Sequence, residues 1–72
     1  MKKMLYFENP FYRDYIEYVD EKTARHTSFI WSYELDKMIP YDTFTFDYTK
    51  YANNWDEYCD KMLKTRKNIK IK

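Results

Sequence analysis

Sixteen aromatic side chains in 72 positions are what this chain has to build a core from: nine Tyr, five Phe and two Trp. A domain of this length buries only ~60% of the surface its unfolded chain exposes, so it usually needs disulfides, metal or oligomerisation as support. Cys59 is the only cysteine, which excludes a disulfide within the chain, and His26 is the only histidine, which argues against a four-ligand zinc site. Stability therefore falls to aromatic packing, each ring contributing ~150–250 Å² of burial. Residues 1–72 read as one domain, with 68–72 either a loose basic tail or an edge strand.

Charge is laid out unevenly. Between residues 4 and 60 stand all twelve acids against Arg13, Lys22, Arg25, Lys37 and Lys50. Residues 61–72 carry Lys61, Lys64, Arg66, Lys67, Lys70 and Lys72 and no acid. An acidic, Tyr-rich body ending in a basic segment bears on partners rather than on fold. Lys2 and Lys3 precede an apolar run that stops at Glu8, shorter than the ~7–15 residues of a signal core. The longest stretch free of charge, from His26 to Tyr33, falls short of the ~20 residues a membrane helix takes. The expected location is the cytoplasm.

Local patterns predict three helices. Asn9-Pro10 resembles a helix start, and Tyr12, Ile16 and Val19 recur at helical spacing, which predicts a helix over 10–22. Thr23–Ser28 reads as a break, a continuous helix being the alternative. Trp31, Leu35 and Met38 predict a second helix that Pro40 ends. From Tyr41 to Tyr51 the period changes to two, with Phe44, Phe46 and Tyr48 alternating with Thr43, Thr45, Asp47 and Thr49, the pattern of a half-buried strand. Asn54 caps a third helix with Glu57 three residues on, and Trp55, Tyr58, Cys59 and Met62 form its apolar stripe. Short strands are expected at Lys3–Phe7 and Ile69–Lys72. The expected fold is a small α+β domain dominated by three helices with one to three short strands, and the alternative is an all-α bundle.

No constellation points to catalysis. Cys59 lies on an apolar stripe, where a thiol is ordinary core, and His26 stands in a polar connector, so a Cys–His pair is not indicated. Asp56 and Asp60 lie one turn apart but read as a favourable helix start rather than a metal site. The absence of glycine removes the phosphate-binding and dinucleotide loops, which need close backbone approach. No enzyme activity, cofactor or metal is expected.

Tyr and Trp concentrate at binding hot spots, and this chain holds more rings than a small core encloses. The candidate partner-binding set is Tyr41, Asp42, Asp47, Tyr48, Tyr51, Trp55 and Asp56, opposite a protein with a basic surface. Codon-like usage rich in Lys, Tyr, Asn, Ile and Phe suggests a low-GC bacterium or its phage. The expected function is a small inhibitor or modulator from a phage or mobile element. It would block the basic cleft of a host nucleic-acid-binding protein, such as an immune nuclease of the CRISPR type. The alternatives are a nucleic-acid-binding regulator acting through Lys61, Lys64, Arg66 and Lys67, and an assembly protein dimerising through its aromatic surface.

Overall fold

The computed structural model describes residues 2–72. Its frame is a five-stranded antiparallel sheet in the order β4-β3-β2-β1-β5. The strands are β1 (Leu5–Asn9), β2 (Tyr12–Tyr18), β3 (Thr23–Ser32), β4 (Lys37–Asp47) and β5 (Lys70–Ile71). A single 3-10 turn (Tyr48–Lys50) and one helix, α1 (Trp55–Thr65), lie between β4 and β5. The first four strands form a meander, and α1 carries the chain back so that β5 pairs beside β1.

This overturns the expectation of three helices, and the all-α bundle with it. Residues 10–22 are a hairpin turn and a strand, and the segment from Thr27 to Pro40 belongs to β3, its turn and β4. The physical reason lies in residue type. Phe11 to Val19 holds six aromatic or β-branched residues in nine, and neither it nor Thr27–Tyr33 contains Ala or Leu. Such side chains lose rotamer freedom in a helix and pack well on a pleated surface. The spacing of Tyr12, Ile16 and Val19 imitates a helical stripe because both faces of β2 carry large side chains. Strict alternation is thereby lost.

Turns form without glycine because side chains take over its work. Asn9 Oδ1 accepts from the Phe11 N–H at 2.9 Å, Asp20 Oδ1 from Lys22 and Thr23 at 2.9 and 2.7 Å, and Ser32 Oγ from Leu35 at 3.2 Å. Asp36 and Asn68 adopt positive φ (54° and 72°), which short polar side chains tolerate better than most. The cap on α1 is the one expected, Asn54 Oδ1 accepting from the Glu57 N–H at 2.9 Å.

The core lies between one end of the sheet and α1. Leu5, Ala24, Tyr48, Ala52, Trp55, Tyr58 and Cys59 are buried there, with Ile16, Tyr18, Phe46 and Met62 packed against them. Trp55 and Tyr58 stack at 5.6 Å, and Tyr48 meets Trp55 edge-on at 5.2 Å. The helix does not follow the strands to their other end. The molecule is accordingly long, 42 × 22 × 21 Å, with a covered end under α1 and an open end made of two hairpin tips.

Candidate functional site

The tips at the open end are the β1–β2 turn around Phe11 and the β3–β4 turn from Tyr33 to Asp36. They are tied together, since the Trp31 N–H donates to the Phe11 carbonyl at 2.9 Å. Four large side chains project there: Phe11 is 59% exposed, Tyr33 78%, Leu35 60% and Tyr41 68%. Trp31, Ile30, Ile39 and Met38 lie half-buried behind them. Exposed on the same strands and turns are Glu8, Glu34, Asp36 and Asp42, with Arg13 and Lys37 as basic residues among them. Large exposed side chains among more acids than bases set this end apart from the rest of the molecule.

The covered end has the opposite character. Pairing of β5 with β1 sets Leu5 opposite Ile71 and Tyr6 opposite Lys70, and Met4 and Lys72 exchange backbone bonds. Lys2 and Lys3 therefore lie on the same edge as Lys70 and Lys72. The charge asymmetry visible along the chain becomes an asymmetry along the long axis of the molecule.

The expected partner-binding residues divide between these ends and the core. Tyr41 and Asp42 are exposed on β4 toward the open end. Tyr51 and Asp56 are exposed at the covered end, beyond the far terminus of β4. Asp47 accepts from the Thr49 hydroxyl and N–H, capping the 3-10 turn, and these bonds hold its carboxyl below the usual range. Tyr48 and Trp55 are core residues at 1% and 2% exposure. The Tyr48 hydroxyl donates to the Asp20 carbonyl at 2.9 Å, and the Trp55 indole N–H to the Lys3 carbonyl at 2.8 Å. The seven residues do not form one face. Phe11, Tyr33 and Leu35 were not singled out in the sequence, because their exposure depends on turns that a helical reading conceals.

The basic residues are likewise distributed. Lys61 Nζ donates to the Tyr51 carbonyl at 2.7 Å and lies 3.6 Å from Glu57. Lys64 is in the last turn of α1. Arg66 and Lys67 overhang a cavity of about 230 Å³ whose other walls include Tyr12, Asp14 and His26.

The floor of that cavity holds a polar cluster. The Ser28 Oγ donates to Asp14 Oδ1 at 2.6 Å, and His26 Nε2 lies 3.5 Å from the same oxygen. Asp14 also raises the Tyr12 phenol above its usual range. The carboxylate thus stands between hydroxyl and imidazole, whereas an activated serine needs the base on its own oxygen. His26 Nδ1 is buried with no hydrogen-bond partner among the described residues. Cys59 lies on the buried face of α1, where burial pushes its thiol up to about 11, far from a reactive thiolate. Among the described residues, no three His, Cys, Asp or Glu side chains gather closely enough to hold a metal ion, and no helix is long and apolar enough to cross a membrane.

No protein-family model matches the chain, and no curated protein or solved structure matches it.

Proposed function

We propose that this protein is a small non-enzymatic binding module, an inhibitor or modulator, that engages a protein partner through its open end. The observation that carries this reading is the group Phe11, Tyr33, Leu35 and Tyr41, all more than half exposed at one end of the sheet. A small domain short of core material gains nothing in its own stability from leaving these side chains in water. They serve as anchors, and the surrounding acids steer the end toward a basic protein surface. A nucleic-acid-binding protein has such a surface, and occlusion of it is the simplest route to inhibition.

A second reading places nucleic acid at the covered end, favoured by the lysines that β1–β5 pairing gathers there. One experiment separates the two. Tagged wild type, a Phe11→Ser/Tyr33→Ser/Leu35→Ser variant and a Lys64→Ala/Arg66→Ala/Lys67→Ala variant are used to capture partners from the source cells, with and without nuclease. Loss of a specific protein from the open-end variant alone supports the protein-binding reading. Loss from the basic-end variant alone, together with nuclease sensitivity, supports the other.

A further inference from the structure

The two edges of the sheet are treated differently. The β5 edge is two residues long and beset by lysines, Lys67, Lys70 and Lys72, a usual defence against strand addition. The β4 edge runs eleven residues and carries no basic residue from Met38 to Thr49. Its free backbone groups follow from the ladder beside it. Trp31 N–H donates to the Phe11 carbonyl and Val19 N–H to the Thr23 carbonyl, so odd-numbered residues of β3 bond toward β2. Even-numbered residues of β3 then bond toward β4, engaging Asp42, Phe44 and Phe46. Thr43 and Thr45 are left with their N–H and C=O groups pointing away from the sheet.

We infer that a second copy of this chain pairs with that edge, antiparallel, about a twofold axis at Phe44. Three features select a copy over an unrelated strand. The segment Thr43-Phe44-Thr45 reads the same in both directions, so each Thr43 meets Thr45 of the second copy, and Asp42 meets Phe46, with no like charges opposed. A row crosses the sheet through Leu5, Ile16, the His26 ring and Phe44, the last two 4.9 Å apart, and in this register it continues through Phe44 of the second copy. Phe44 is 49% exposed and ends that row in solvent, and a net charge of +1 per chain gives two copies little to repel. The pairing is bounded by the bulge opposite Ser28/Phe29 on one side and by the cap at Asp47 on the other. So short a strand pair covers less than the ~1,200 Å² of a standard interface, which makes the dimer reversible. The two open ends then point in opposite directions. Asp42 falls within the paired segment and Tyr41 beside it, whereas the anchors Phe11, Tyr33 and Leu35 lie outside it and stay free to bind in the dimer.

Sedimentation equilibrium on the whole chain tests it. Wild type is expected to approach twice the 9.1 kDa of one chain at high micromolar concentration and to dissociate on dilution. Thr43→Lys/Thr45→Lys and Thr43→Glu/Thr45→Glu are each expected to run as monomers. Their side chains leave the β3 ladder intact, and unchanged circular dichroism verifies this. Mixing the two is expected to restore the dimer. Phe44→Cys in a Cys59→Ala background is expected to form a disulfide between copies on mild oxidation, because non-hydrogen-bonded positions bring Cβ atoms closest. A wild-type mass of one chain at every concentration up to ~1 mM overturns the inference, as does a dimer that both charged pairs leave unchanged.

Discussion

At the residue scale, the aromatic side chains fall into two populations with opposite consequences. Tyr48 and Trp55 are enclosed and hydrogen-bonded, so truncation leaves both a cavity and a stranded carbonyl. Trp55→Ala is expected to lower stability by ~3–5 kcal/mol, and Tyr48→Phe by about 1 kcal/mol, measured by denaturant unfolding. Tyr33→Ala and Tyr41→Ala are expected to leave the denaturation midpoint almost unchanged. Cys59 supplies a pH test. Its folded thiol ionises at about 11, whereas an unfolded thiol does so near 8.5. The folded state therefore keeps a proton that the unfolded state has lost, and stability falls as pH rises through that window. Burial raises the Tyr48 and Tyr58 phenols in the same sense. Wild type is expected to lose more stability than Cys59→Ala between pH 9 and 11, and its thiol to react with a colorimetric reagent at neutral pH only after denaturant is added.

At the scale of elements, what the sequence shows depends on whether one face or two is buried. The helix α1 is legible because its apolar stripe faces the sheet and its other face is charged, with Asn54 marking the start. Asn54→Ala is expected to cost about 1 kcal/mol, readable as a lower melting temperature. Strand β4 is legible over Phe44–Asp47 because Thr alternates with Phe. By contrast, β2 and β3 carry Tyr15, Phe29 and Trp31 on the side away from α1 and Ile16 and Ile30 on the other, so neither shows the period of a strand. Residue type held the missing information, in the run of aromatic and β-branched side chains and the lack of Ala and Leu over Phe11–Val19 and Thr27–Tyr33. Asn9 illustrates a deeper ambiguity. An Asn side chain accepting from a backbone N–H just ahead of it begins a helix or closes a hairpin equally well, and only the partner strand decides. Of the side chains at the open end, the sequence marks Tyr41 and Asp42 but not Phe11, Tyr33 or Leu35 as candidates for contact. Exposure at a hairpin tip is a property of tertiary structure.

At the scale of the whole molecule, charge and burial divide along the same axis. The covered end carries the core, most of the lysines and also Glu17, Asp20, Glu21, Asp47, Asp56, Glu57 and Asp60, whereas at the open end exposed rings stand among acids that outnumber the bases. Opposed charge within one small body weakens non-specific attraction to polyanions. Binding to DNA or RNA at ~0.15 M salt is therefore expected to be no tighter than the ~10⁻⁴–10⁻⁶ M of non-specific complexes, by fluorescence anisotropy. The most direct test is the affinity for a captured protein partner, measured by surface plasmon resonance at two salt concentrations, with melting temperatures alongside. Tyr33→Ala/Leu35→Ala is expected to weaken binding at least ~10-fold through faster dissociation, with the melting temperature unchanged. Reversing Glu34, Asp36 and Asp42 to Lys is expected to slow association and flatten its salt dependence. The contrary result is full affinity in both variants together with its loss on removing Lys64, Arg66 and Lys67, which puts the partner at the covered end.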